Sequence, residues 1–232
     1  MDVRVFELIQ GAREAQGVTV IIDVFRAFSL EAYLFDRGAE CIFPVADLDI
    51  AYAMRKKDPQ LLLIGERGGK MCEGFDFGNS PSAVRDLDLR GRRIVHTTSA
   101  GTQGIENAVR AQEILTGSFV NAKATADYIL KKDPQTVSLV CMGNAGTSSA
   151  EEDLLCAEYI RTLLKGESDP WIDEKLLALK DTAGKKFFDH RQSEVFPEED
   201  FWMCIKRDLF DFAILSRKED GVRVNRRLQK GK

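Results

Sequence analysis

The chain contains 232 residues, of which 44% are hydrophobic and 30% are charged. This composition excludes a disordered chain, and the length predicts a single domain over residues 1–232. The formal net charge of −4, from 33 basic and 37 acidic residues, excludes the broad positive surface that binds nucleic acid.

Short runs of apolar and β-branched residues predict buried strands. In chain order they lie at residues 18–24, 41–45, 61–64, 93–98, 114–117 and 136–141, with a further strand near 210–216. Apolar residues at helical spacing predict helices at 29–37, 48–57, 103–111, 122–132 and 151–164. Asp47 is expected to cap the second of these helices. Ser149 and Glu152 are expected to form a capping box at the start of the fifth. This alternation predicts an α/β fold in which helices cover a largely parallel sheet.

The C-terminal part of the chain combines aromatic and basic residues. The aromatic residues predict core packing and leave a contact in a homo-oligomer open; they are Phe196, Phe201, Trp202, Phe210 and Phe212. The last basic residues predict a solvated terminus rather than an arm that binds nucleic acid; they are Arg223, Arg226, Arg227, Lys230 and Lys232.

The cysteines and the hydropathy of the chain indicate in which cellular compartment the protein resides. The five cysteines are odd in number and form no CxxC pair, which predicts reduced thiols and no zinc site. No apolar run is long enough for a signal peptide or a membrane span. We therefore expect a cytoplasmic protein that does not associate with a membrane.

Polar and glycine-rich clusters follow most of the predicted strands. They occupy residues 23–26, 65–69, 97–102, 117–121 and 141–144. Because ligands of open parallel sheets bind at the carboxyl ends of the strands, these clusters are expected to converge on one rim.

The first two clusters combine carboxylates with arginines. Asp23 is interpreted as a metal ligand, a nucleophile or the cap of the next helix, and Arg26 beside it favours phosphate chemistry. Glycines around Glu66 and Arg67 allow close approach to an anion, although a plain surface turn has the same composition.

The remaining clusters have a functional and a structural interpretation. The hydroxyl groups of residues 97–102 are suited either to hold an oxyanion or to cap a helix, and the same two interpretations apply to the pair Ser118 and Asn121. Glu152 and Asp153 either stabilise the N-terminus of a helix through their interaction with the helix dipole or bind Mg²⁺. His96 and His190 are too isolated for a zinc site or a catalytic triad, and His96 is expected to pack or cap.

Six strings in fixed order carry a family resemblance. They are IIDVFRA (21–27), GERGG (65–69), EGFDFGNSP (73–81), TTSAGT (97–102), GSFVNA (117–122) and EEDLLCA (151–157), with a weaker similarity in FPEEDFWMCIKRD (196–208). Together they resemble the 2-phosphosulfolactate phosphatase family.

The resemblance implies a fold, a reaction and a set of site residues. The implied fold has three α/β/α layers around a mixed, mostly parallel sheet. The implied reaction is the Mg²⁺-dependent removal of phosphate from 2-phospho-3-sulfolactate, a small phosphorylated and sulfonated acid, on one route to coenzyme M. The implied catalytic residues are Asp23, Arg26 and Glu66. The implied substrate-binding residues are Arg67, Asn79, Ser80, Thr97, Thr98, Gly101, Ser118 and Asn121. The implied metal ligands are Asp23, Glu152 and Asp153.

The chain also departs from the family pattern. Phe28 and Glu31 stand in a segment that is rich in threonine in many relatives, and they are expected to make the pocket bulkier or less favourable to a second anion. Three alternatives therefore stay open: a different phospho-acid substrate, an anion sensor without catalysis, and an isomerase or lyase acting on a phosphorylated hydroxyacid.

Overall fold

The computed structural model describes residues 1–228, in which ten strands and nine α-helices alternate. The strands are β1 (Asp2–Glu7), β2 (Gly17–Ile22), β3 (Cys41–Pro44), β4 (Leu62–Arg67), β5 (Lys70–Met71), β6 (Arg93–Thr97), β7 (Ala111–Gly117), β8 (Thr136–Cys141), β9 (Ala213–Glu219) and β10 (Val222–Leu228). The helices are α1 (Leu8–Glu14), α2 (Ala27–Asp36), α3 (Leu48–Lys57), α4 (Pro81–Val84), α5 (Gly101–Asn107), α6 (Ala122–Lys132), α7 (Glu151–Leu164), α8 (Ile172–Ala178) and α9 (Glu198–Cys204).

All ten strands lie in one mixed sheet of order β1-β8-β2-β7-β9-β10-β3-β6-β4-β5. Two groups are internally parallel: β1, β8, β2 and β7 form the first, and β3, β6 and β4 form the second. The pair β9 and β10 joins them through antiparallel contacts on both sides. Three successive antiparallel steps separate the groups, so their strands run in opposite directions.

Helices cover both faces of the sheet, because side chains of a strand alternate between its two faces. From β2, Val20 and Ile22 pack with Ile160 of α7. Ile21 points to the other face and packs with Ile105 of α5. The predicted α/β fold with a layer of helices on each side of a mixed, mostly parallel sheet is therefore confirmed.

Helix α2 is unusual because it lies within the core. Every residue from Ala27 to Phe35 is buried. Its apolar side chains belong to two separate clusters, with Phe28 in one and Leu30 and Leu34 in the other. The buried Glu31 of the same helix therefore requires polar partners inside the protein.

Several of the predicted strands and helices that pack in the core have the bounds that the sequence predicts. The strand predicted at 136–141 and the helices at 48–57, 122–132 and 151–164 have the predicted bounds. The sequence analysis missed β1, β5 and β10, which carry charged residues and are mostly exposed or only partly buried. The predicted helix at 103–111 ends at Asn107, since Ala111 already begins β7.

Two local predictions have different outcomes. Asp47 caps α3, since its side chain accepts a hydrogen bond from the Asp49 amide. The capping box at Ser149 and Glu152 is wrong: Ala150 is the cap of α7, and the Ser149 hydroxyl donates to Glu7 instead.

The predicted solvated terminus is also wrong in its described part. Arg223, Arg226 and Arg227 belong to β10, where Arg226 pairs with Glu219. Lys230 and Lys232 lie outside the described residues. The predicted core packing of the aromatic segment is confirmed for Phe201, Phe210 and Phe212, which are buried, whereas Trp202 is exposed by 36%.

The predicted thiol state agrees with the structure: all five cysteines are free and buried. None of the helices in residues 1–228 has the length and hydropathy needed to cross a bilayer.

The start of β2 provides a test of backbone packing. Gly17 has φ +69°, and a Cβ at this position would lie 2.2 Å from the carbonyl oxygen of Thr136 in β8. Gly166 has a nearly identical φ of +70° with no atom near the added Cβ. We expect Gly166→Ala to lower the free energy of unfolding by about 1 kcal/mol through backbone strain alone. Gly17→Ala should cost at least about 2 kcal/mol more, because the two strands must separate.

Chemical denaturation of both variants and the unaltered chain measures this difference. Equal losses for the two alanine variants would contradict the close approach of β2 and β8.

Candidate active site

A cavity of about 210 Å³ lies where the loops after β2, β4, β6 and β8 meet. The segment that precedes α9 closes it through Lys186 and Phe196. Four of the predicted site residues line this cavity: Asp23, Arg26, Glu66 and Asn79.

The four loops come from the two oppositely directed groups of strands. Although the two groups run in opposite directions, loops that follow the carboxyl ends of both groups line the same cavity. Contact between the groups is direct, since a Cβ on Gly101, after β6, would lie 2.9 Å from Asp23 Oδ2, after β2.

Asp23 lies at the cavity wall and is only 7% exposed. The Ala27 amide donates to its Oδ1 at 3.2 Å. Burial raises the pKa of Asp23 to about 6, and the negative charges of Glu66 and Glu152 add to this effect. Main-chain hydrogen bonds from Ala27 and Gly101 act in the opposite direction. Asp23 can therefore exchange a proton close to neutral pH.

Asp153 connects two loops of the cavity. Its Oδ1 accepts a hydrogen bond from the Val24 amide and its Oδ2 accepts one from the Gly143 amide, both at 2.8 Å. Burial, followed by the charges of Asp23 and Glu152, raises the pKa of Asp153 well above its usual range. Both oxygens are thus engaged by the backbone.

Glu152 differs from Asp153 in its hydrogen bonding. It is 4% exposed, and its Oε2 is buried without a hydrogen-bond partner among residues 1–228. Burial raises the pKa of Glu152, while the positive charge of Lys186 lowers it. A buried carboxylate oxygen without a donor is unfavourable unless a cation or a proton compensates it.

Glu66 connects the other pair of loops. Its Oε1 accepts from the Ser99 amide at 2.7 Å, and its Oε2 accepts from the Gly69 amide at 2.6 Å.

Across the described part of the chain, no group of three or more His, Cys, Asp or Glu side chains is arranged to hold a metal ion. A metal held by fewer than three such side chains takes its other ligands from main-chain or amide oxygens, water or substrate.

Arg26 is 3% exposed and follows a cis peptide bond from Phe25. Its Nη1 donates to Asp200 Oδ2 at 2.7 Å and to the Val195 carbonyl at 2.8 Å. Its Nη2 lies 3.4 Å from the Gly69 carbonyl. Of the five guanidinium N–H groups, Nε–H and one Nη2–H make no hydrogen bond to residues 1–228, which leaves them for an anion.

The sequence analysis missed Asp200, the charge partner of Arg26. Its second oxygen accepts from the Ser80 hydroxyl at 2.8 Å and from the amide and hydroxyl of Ser82 at 2.9 and 2.7 Å. Ser80 therefore reaches the site through Asp200 rather than through the cavity wall. The one signal for Asp200 was its position in the weakly similar segment 196–208.

Lys186 was also missed, because no motif surrounds it. Its Nζ lies 5.3 Å from the centre of the Phe196 ring and 5.6 Å from that of Phe187. Arg26 packs over the same Phe196 ring at 4.9 Å. The cavity is thus lined by two cations that pack on one aromatic ring and by the carboxylates of Asp23 and Glu66.

The other predicted hydroxyl and arginine residues lie outside the cavity. Arg67 donates to the Ala46 carbonyl and to the Thr97 hydroxyl, so two predicted site residues pair with each other. Thr98 and Thr102 exchange hydrogen bonds between side chain and amide at the start of α5.

Ser118 and Asn121 form the capping box of the 3₁₀ turn Phe119–Asn121. Phe28 and Glu31 are both fully buried on α2 and do not line the cavity. Only the start of α2 borders the site, through the Ala27 amide, and the helix then enters the core, so these two side chains do not narrow the cavity directly.

Comparisons with known proteins find relatives that match most of the chain. A sequence model of a family described as 2-phosphosulpholactate phosphatase matches residues 4–219. A probable 2-phosphosulfolactate phosphatase of Caldicellulosiruptor saccharolyticus is 35% identical over 210 residues, which cover 83% of this chain and 86% of that protein. A protein of the same name from Bacillus subtilis is 32% identical over 207 residues, with 88% of each chain covered.

The buried pair of Arg26 and Asp200 gives a stability prediction. Asp200→Asn keeps the size of the side chain but leaves the Arg26 charge uncompensated, so we expect a loss of about 3–5 kcal/mol in the free energy of unfolding. Glu199→Gln removes the neighbouring carboxylate, whose pair with Arg85 is exposed, and should change stability by less than about 1 kcal/mol. Urea denaturation tests both variants, and similar losses would contradict the buried pair.

Asp23 gives a prediction for the pH dependence of stability. Its pKa in the folded protein, about 6, exceeds the ordinary value of 3.8. Between these values the folded state binds a proton that the unfolded chain releases, so its contribution to stability falls as pH rises through this interval. Asp23→Asn should therefore be more stable than the unaltered chain at about pH 8, by on the order of 1–3 kcal/mol, and this advantage should shrink toward about pH 4.

Urea denaturation in the presence of a chelator, at both pH values, measures the effect. Asp49→Asn, at an exposed carboxylate, controls for the loss of one negative charge. A destabilised Asp23→Asn variant at the higher pH would contradict the prediction.

Proposed function

The chain belongs to the 2-phosphosulfolactate phosphatase family, and from this premise we propose that it hydrolyses the phosphate ester of a small anionic hydroxyacid. The proposed substrate is 2-phospho-3-sulfolactate, which yields sulfolactate and phosphate. The observation that carries the proposal is that Asp23, Arg26 and Lys186 line one small cavity.

The size and charge of the cavity suit such a substrate. Its volume of about 210 Å³ is below the roughly 300–1,000 Å³ of pockets for larger ligands. Arg26 has two N–H donors directed away from its protein partners, and a guanidinium fork matches the geometry of phosphoryl oxygens. Lys186 supplies a second positive charge on a flexible stem, which suits the other acid group of the substrate.

The carboxylates fit Mg²⁺ in a specific way. Mg²⁺ is commonly held by one or two carboxylates together with water and substrate phosphate oxygens. Asp23 and Glu152 fit this pattern. Glu152 Oε2 has no hydrogen-bond partner in residues 1–228, and the negative charge of Glu152 opposes ionisation of Asp23. We therefore assign Asp23 and Glu152 as ligands and Asp153 as the residue that holds the loops around them.

The remaining steps follow from the chain's own residues. Bound Mg²⁺ would offset negative charge on the phosphoryl group. Arg26, fixed by Asp200, orients two phosphoryl oxygens and stabilises the charge that develops on them. Asp23, with its pKa of about 6, can hold or release a proton near neutral pH. The low exposure of Asp23, Arg26 and Glu66 limits access of bulk water.

A phosphate-release assay tests the proposal. With Mg²⁺ present, the protein should release phosphate from 2-phospho-3-sulfolactate faster than from other phospho-acids, and chelation should stop the reaction. Arg26→Lys should lower kcat/KM by about 100-fold, because a lysine cannot replace the planar fork. Arg161→Lys is the matched control: Arg161 lies on the exposed face of α7 and pairs with Glu158, so its activity should be unchanged.

The same assay separates the alternatives. Binding of phospho-acids without turnover would support an anion sensor, and a product that retains phosphate would support an isomerase or lyase. Recovery of a phosphorylated peptide containing Asp23 after a rapid quench would show direct attack by the carboxylate, and its absence would support attack by water. The cytoplasmic location, the homo-oligomer and the place on a route to coenzyme M stay predictions.

A further inference from the structure

A chain of buried polar side chains leads from the core to the cavity. Glu31 of α2, His96 of β6 and Asn225 of β10 have no exposed surface. Asn79, which precedes α4, is 6% exposed and lines the cavity. Three elements distant in the sequence thus support one cavity residue from behind.

The distances in this chain identify its hydrogen bonds. Glu31 Oε1 lies 2.9 Å from His96 Nδ1, and Glu31 Oε2 accepts from Asn225 Nδ2 at 2.8 Å. On the other side of the ring, His96 Nε2 lies 3.1 Å from Asn79 Oδ1. With Glu31 ionised, both of its oxygens accept hydrogen bonds, and His96 Nδ1–H is then the donor to Oε1.

We propose that His96 is an imidazolium that donates from both ring nitrogens and thereby positions Asn79, with the amide Nδ2 directed into the cavity as a donor to the substrate's acid oxygens. This inference rests on the proposed function. It assigns His96 and Glu31 as positioning residues and Asn79 as the group that touches the substrate.

Two physical arguments favour this arrangement. An imidazolium in the core is compensated by the Glu31 carboxylate, so the pair buries no net charge. Asn79 Nδ2 makes no hydrogen bond to residues 1–228 and is not among the fully buried polar atoms without a partner, which leaves it open to the cavity. With the opposite amide orientation, Asn79 would present an acceptor oxygen to an anionic substrate and repel it.

Nitrogen NMR provides a test that does not depend on activity. The chain has two histidines, so ¹⁵N-histidine labelling gives the signals of two rings, and His190→Gln assigns them. We expect a proton on each ring nitrogen of His96, with Nδ1–H facing Glu31 and Nε2–H facing Asn79. An unprotonated Nε2 would overturn the proposal, because the Asn79 amide would then donate to the ring and turn its oxygen to the cavity.

A double-mutant cycle tests the functional role. Asn79→Ala should lower kcat/KM by about 10–100-fold, the loss expected for a hydrogen bond to a charged group. His96→Gln should lower it by about 10-fold in the unaltered chain but by less than about 2-fold when Asn79 is already alanine, because His96 acts through Asn79. Tyr33→Phe, which removes another buried hydrogen bond of α2, to the Met203 carbonyl, should lower Tm without changing kcat/KM.

The outcomes separate this inference from the proposed function. If no phospho-acid is turned over, calorimetric binding of inorganic phosphate supplies the same cycle. If the losses in kcat/KM or in phosphate affinity from Asn79→Ala and His96→Gln add in the double variant, the role of His96 is overturned while the phosphatase assignment stands. Absence of both turnover and phosphate binding in the unaltered chain would overturn both proposals.

Discussion

The architecture of the site depends on buried carboxylates that accept hydrogen bonds from the main chain of neighbouring loops. Asp153 joins the loop after β2 to the loop after β8, and Glu66 joins the loop after β4 to the loop after β6. A buried carboxylate is unfavourable unless donors surround it. Satisfying these two groups therefore fixes the two loops within each group of strands relative to each other, and the close approach of Gly101 to Asp23 brings the two pairs of loops together around the cavity.

The carboxylates that remain after this requirement is met carry the chemistry. The negative charge of Glu152 adds to the raised pKa of Asp23, and Glu152 keeps a buried oxygen without a partner in residues 1–228. Such an arrangement costs stability when the site is empty, and a cation or a proton relieves it. Under the proposed function, binding of a divalent cation would relieve the same electrostatic conflict that is expected to weaken the fold at high pH.

Helix α2 explains how arginine and asparagine can be held rigidly in this site. It begins beside Arg26, whose guanidinium is fixed by Asp200, and it carries Glu31 into the core, where the histidine of β6 connects it to Asn79. Both groups that would meet the substrate are therefore supported by ionic or polar partners without exposed surface. Rigid support of this kind lowers the reorganisation needed when a ligand binds.

The sequence by itself determined the buried strands, most long helices and the strand ends at which the site lies, because hydrophobic periodicity and glycine-rich clusters are local signals. It did not reveal the charged strands β1, β5 and β10, the reversal of direction between the two groups of strands, or the partner role of Asp200. Nor did it separate the carboxylates that hold loops from those open to a ligand. That distinction depends on which amides approach them, and the Val24 amide that engages Asp153 lies 129 residues away in the chain. Only the tertiary structure brings such groups together, and so only it decides the role of each.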